Sequence, residues 1–158
     1  MIGSDRVQVS GATGRQRPDE LKVTVGHRDG FIGEGQISYA GLGAQARGQL
    51  ALDVLKERLA GTKALDSRFE LIGLNAIHGD HLANLATGHT PYEVRARAAM
   101  RVATRAEAEL VAHEVEALYL NGPASGGGVT QSVREVIAAA SVLIPREWVQ
   151  TSITILEV

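Results

Sequence analysis

The sequence predicts an α+β sandwich, with two helices on one face of an antiparallel sheet. Three observations lead there. First, Leu21, Val23 and Val25 alternate with Lys22 and Thr24, and Val94, Ala96, Ala98, Met100 and Val102 alternate with Glu93, Arg95, Arg97 and Arg101. That is the period of strands wetted on one side only. Second, each of these strands is followed by a segment with apolar residues at helical spacing. Third, the order strand–helix–strand occurs twice, separated by a polar loop.

Residues 1–20 are polar and punctuated by Gly and Pro, with one short extended piece at Arg6–Val9; they read as a linker or lead-in, and 21–158 as one domain. After the first strand, Gly26–Gly35 reads as a loop because glycine marks positive φ or close approach, and Gln36–Ala40 extends again. Gly41–Ala60 reads as a helix with a stripe of Leu50, Ala51, Val54, Leu55 and Leu59, stopped by Gly61. Phe69–Leu74 is a short apolar strand. Residues 75–92 form a polar loop that carries three of the five histidines. Glu93–Ala103 is the clearest strand. Thr104 then caps a helix, with Glu107 three residues on as a capping box; its buried stripe is Ala108, Val111, Ala112, Val115, Leu118 and Tyr119. Asn121–Gly128 ends it. Val133–Ile144 reads as a strand, although Glu135–Ala140, with three alanines, is also compatible with helix. Pro145 closes that element, and Thr151–Leu156 is the candidate for a last edge strand. Two β-α-β halves of this kind make the split βαβ, ferredoxin-like sandwich.

Composition narrows the function. The chain has 158 residues, enough for one ordinary core. Its net charge of −2 gives no pull towards nucleic acid or an anionic membrane, and 4% aromatics leave little for a base-stacking platform. The absence of cysteine excludes disulfides, thiolate metal sites and cysteine nucleophiles. With no apolar run near the roughly 20 residues of a membrane span and no signal-peptide pattern, the chain reads as cytoplasmic.

Several groups are candidates for chemistry, each set against a plainer role. The stretch Gly26–Ala46 holds six glycines together with His27, Arg28, Asp29 and Glu34, and reads as a shaped surface for a ligand or another subunit. Within it, Asp29 and Glu34 are acid/base candidates, and Gly33, Gly35 and Gln36 are candidates for contact with a ligand or partner. Gly41-x-Gly43-x-x-Ala46 fits a relaxed dinucleotide fingerprint, but no acidic residue follows the next strand, so the plainer reading is a loop-to-helix turn. His78 and Asp80 are general-base candidates, and His78 and His81, with His89 nearby, are candidate metal ligands at a spacing that matches no standard metal motif; solvated loop residues are the commoner case. Gly126, Gly127 and Gly128 would offer successive amides to an anion or form an interface loop, and no P-loop lysine follows. Arg95, Arg97 and Arg101 line one strand face and would bind carboxylate or phosphate or simply face solvent.

Val25–Gly41, Glu116–Val129, Arg134–Ile137 and Val142–Glu147 together resemble the C-terminal part of the AtuA family, over about Asp5 to Val149. That family is associated with breakdown of citronellol- and geraniol-like compounds through CoA thioesters. The resemblance implies a ferredoxin-like ending on a larger α/β protein. Its members carry a longer N-terminal region, so the expected partner is a larger AtuA-like N-terminal domain or subunit, with a homo-oligomer as the other arrangement. The expected role is to complete an assembly acting on acyclic terpenoid or branched acyl-CoA derivatives, with no cofactor bound by this chain alone. A self-contained acid/base or metal-assisted enzyme domain and a structural homo-oligomerisation module are the alternatives.

Overall fold

The computed structural model describes residues 3, 5–83 and 90–156. Four strands, β1 (Glu20–Ala40), β2 (Asp66–Ile72), β3 (Glu93–Val102) and β4 (Gly126–Pro145), form one sheet in the order β2-β3-β1-β4. The connecting helices are α1 (Ala44–Leu59), the single turn α2 (Gly79–Ala83) and α3 (Arg105–Asn121), and a 3₁₀ turn spans Arg146–Trp148. β3 pairs antiparallel with both β1 and β2. This is the ferredoxin-like α+β sandwich expected from the sequence.

The chain divides into two compact units, residues 27–138 and, separately, residues 1–26 with 139–158. All the buried apolar residues belong to the first. They come from one face of the sheet (Ile37, Tyr39, Leu71, Val94, Ala96, Ala98, Met100, Val102) and from the inner sides of α1 and α3 (Ala51, Leu52, Leu55, Leu59, Ala108, Val111, Val115, Leu118). In the smaller unit the backbone amide of Arg146 donates to Asp19 O at 2.9 Å and its Nε to Pro18 O at 2.9 Å. No helix among the described residues is long and apolar enough to cross a membrane.

α3 starts where the sequence says it should. Thr104 accepts from the Glu107 amide, and the Glu107 carboxylate accepts from the Thr104 amide at 3.0 Å, closing the capping box. Its C-terminal end is tied to β4 by the amide of Val129, which donates to the Tyr119 hydroxyl at 2.9 Å. Arg58 and Glu114 link α1 to α3 by an ion pair on their outer sides.

The structure corrects three expectations and decides two that the sequence left between alternatives. Gly26–Gly35 is not a loop: β1 runs unbroken from Glu20 to Ala40, and residues 31–40 pair in register with β3. The inward positions of this strand are filled by Gly33, Gly35, Ile37 and Tyr39, so half of the apolar alternation is invisible to a hydropathy pattern. Val133–Ile144 is strand as read, Glu135–Ala140 included, because β4 has β1 to pair with. Thr151–Leu156 is exposed and not in a strand. Leu50 and Tyr119, assigned to buried stripes, are both about half exposed; Gly48 and Leu52 take the inward positions on α1. The plainer reading of Gly41-x-Gly43 holds: it is a turn with φ of 83° and 74° leading from an antiparallel sheet into α1, which is not the parallel βαβ setting of a dinucleotide fingerprint.

Candidate functional site

Strand alternation puts one set of residues under the helices and the other on the opposite face. In β1 the second set is Ile32, Glu34, Gln36 and Ser38; in β3 it is Arg95, Arg97, Ala99 and Arg101; in β2 it is Asp66, Arg68 and Glu70. The registers Glu34↔Ala99, Gln36↔Arg97, Arg68↔Ala99 and Glu70↔Arg97 bring them together. A helix-free sheet face thus carries a polar array, interrupted at Ile32 and Ala99.

Arg97 is its centre. Its Nε and Nη2 donate to the two carboxylate oxygens of Glu34 at 2.9 and 2.7 Å, and its Nη1 donates to Glu70 at 2.5 Å. The side chains of Arg97, Glu34 and Glu70 retain only 22%, 19% and 16% of their exposure, so the three charges sit largely out of water. The Arg97 hydrogen bonds hold the Glu34 carboxyl below its usual range, against the opposing pull of burial. The same bonds raise Arg97, which stays protonated throughout. Gln36 donates to Glu34 at 2.7 Å and its carbonyl accepts from Arg95 Nε at 2.6 Å. Arg95 also donates to Ser38 Oγ at 2.9 Å, Gly128 O at 3.0 Å and Thr130 Oγ1 at 2.9 Å, stitching β3 across β1 to β4. Arg101 pairs with Asp29, and Arg28 with Glu135 at 3.1 Å.

The arrangement joins Glu34, Gln36, Arg95 and Arg97 in one network, while Asp29 forms a separate ion pair with Arg101. It also reassigns them. An ionised carboxylate held by a bidentate guanidinium is a poor general base, so Glu34 is a charge partner here; Asp29 makes a single contact, to Arg101. Gly33 and Gly35, expected to meet a ligand or partner, lie on the other face. A Cβ on Gly33 would stand 2.0 Å from the carbonyl oxygen of Ala108, and one on Gly35 would stand 2.5 Å from Cβ of Val115. They are glycines because α3 packs directly on the strand. Gly126 likewise faces inward, where a Cβ would come 2.8 Å from Ile37, whereas Gly127 has open space. Gly128 contributes its carbonyl as an acceptor for Arg95.

His78, Asp80 and His81 stand apart, exposed in and beside α2. The Asp80 carboxylate accepts from Asn75 Nδ2 at 2.6 Å. His78 and Asp80 border a hollow that Glu70 and Arg68 also line. Among the described residues no group of three or more His, Asp or Glu is placed to hold a metal ion; His89 lies outside them.

Sequence reasoning did not single out Arg68, Glu70 or Arg134. The first two are readable afterwards as the polar half of an alternating β2. Arg134 stood out only as part of the family-like stretch Arg134–Ile137, since its place on this face depends on how β4 pairs. A second feature of this kind is Tyr39, whose buried hydroxyl has no hydrogen-bond partner among the described residues.

No curated protein and no solved structure matches the chain. A family model, described as acyclic terpene utilisation family protein AtuA, matches residues 1–155. That is essentially the whole chain and agrees with the four sequence stretches that suggested it: the chain belongs to the AtuA family and has a role in acyclic terpene utilisation.

Proposed function

We propose that the chain is a domain or small subunit of an AtuA-type catabolic assembly in the cytoplasm, acting on acyclic terpenoid or branched acyl-CoA derivatives. It presents the Arg97 face of its sheet to a larger domain or subunit of the same family. The observation that supports this is the ordering of that face. A row of arginines left in solvent would adopt many rotamers; here Arg95 and Arg97 are fixed by four and three hydrogen bonds. Semi-buried ion pairs of this sort contribute little net stability but impose strict geometry, which suits a recognition surface.

Native mass spectrometry of the chain, alone and co-expressed with a larger AtuA-type polypeptide, tests the reading. A defined heteromeric complex that Glu34→Arg disrupts is the expected result. A chain that stays monomeric beside the larger polypeptide, or that turns over an acyl-CoA unaided, refutes it. The second outcome would favour an enzyme domain proper, for which the hollow bordered by Glu70, His78 and Asp80 is the supporting observation.

A further inference from the structure

The polar face has one gap. Ala99 is the only small side chain among its β3 positions. Arg97 and Arg101 flank it at about 7 Å each along the strand, and Arg68 stands directly opposite on β2. The result is a hollow of about 250 Å³, which Arg134 from β4 also lines. Four arginines therefore line one depression; Glu34 stands opposite Ala99 on β1, with its carboxylate taken up by Arg97. The carboxylates that pair with Arg97 and Arg101, namely Glu34, Glu70 and Asp29, are not among its lining residues; Asp66 is the one carboxylate that is. Arg68 and Arg134 make no ion pair or side-chain hydrogen bond among the described residues. Arg97 commits three of its five N–H groups to Glu34 and Glu70, and so keeps two.

From this geometry we infer that the hollow around Ala99 is a binding site for a phosphate group, held by Arg68 and Arg134 with Arg97 and Arg101 behind them. A planar carboxylate is saturated by one or two guanidinium forks lying in its plane. Guanidinium groups arriving from different sides suit the tetrahedral, dianionic phosphate instead. The volume equals that of about eight waters, which is more than a bare phosphate needs, and Ile32 lines one side. The site thus has room for an organic stem, and both inorganic phosphate and a phosphomonoester fit its chemistry. The inference does not rest on the assembly reading above, and it is tested on the chain alone.

The test is calorimetric titration at constant ionic strength, with inorganic phosphate in one arm and butyl phosphate in the other. Saturable binding of either is expected. Tighter binding of butyl phosphate identifies an organic phosphomonoester as the ligand; equal binding identifies free phosphate. The double substitution Arg68→Gln with Arg134→Gln, at two exposed side chains, is expected to weaken binding at least about tenfold. Ala99→Leu keeps all four arginines but fills the hollow, and is expected to weaken binding as much; a merely diffuse positive surface would be indifferent to it. If Ala99→Leu lowers the melting temperature, the smaller Ala99→Val, which also keeps all four arginines, takes its place. No binding by the wild type, or wild-type affinity in the double variant, overturns the assignment.

Discussion

Gly33→Ala puts the packing role of the β1 glycines to a direct test. The added Cβ would lie 2.0 Å from the Ala108 carbonyl oxygen, 2.6 Å from its carbon and 2.7 Å from its Cα. Ordinary contact begins near 3.5 Å, so α3 would have to retreat by more than about 1 Å at that turn. The obstacle is helix backbone, which no rotamer change relieves. Retreat would also loosen Ala108, Val111 and Val115, all wholly buried. Overpacking of this type costs about 1–3 kcal/mol and sometimes more; a backbone clash belongs at the upper end, about 3 kcal/mol. For a chain of this length that is a fall of roughly 6–12 °C in melting temperature. Gly35→Ala meets the Val115 side chain instead and should cost less. Gly127→Ala, with open space around it, should change stability by no more than about 0.5 kcal/mol. The assay is thermal unfolding followed by circular dichroism on the three variants. A Gly33→Ala protein that melts with Gly127→Ala would refute the reasoning, and loss of ligand or partner binding at unchanged stability would return the glycine to a binding role.

Two further perturbations address the network and the core. At Tyr39 the buried hydroxyl lacks a partner among the described residues, and burial raises its ionisation above the usual tyrosine value; Tyr39→Phe should therefore raise stability by up to about 1 kcal/mol, and urea denaturation showing a loss of that size would mean the hydroxyl is hydrogen-bonded after all. Because the Glu34 carboxyl is depressed below its ordinary value of 4.5 by Arg97, its stabilising effect is present in full above that value and fades as pH falls through the folded value. Glu34→Gln should accordingly cost about 1 kcal/mol near neutrality, after allowance for solvent screening, and the gap to wild type should narrow well below pH 4.5; denaturation curves that keep a constant gap down to the acid limit would remove the ion pair as its cause.

How much of the site was legible depended on which neighbour mattered. Arg95, Arg97 and Arg101 were visible as the polar half of β3, because strand alternation is local. That Arg97 binds Glu34 and Glu70 was not, since the three residues are 63 and 27 positions apart in pairs and meet only through the strand registers. Asp29 and Glu34 looked like acid/base candidates for the same reason: a carboxylate's role is set by what stands beside it.

The sequence by itself determined the α+β class, the order of the two β-α-β halves, the capping box at Thr104 and the family. Each rests on interactions within a turn or two of chain, or on a pattern compared residue by residue. The tertiary structure alone decided that Gly26–Gly35 is strand, that Gly33 and Gly35 serve α3, and that Ala99 opens a hollow among four arginines. Glycine and alanine have little side chain with which to announce a preference. What they do is fixed by what packs against them, and that partner lies far away along the chain.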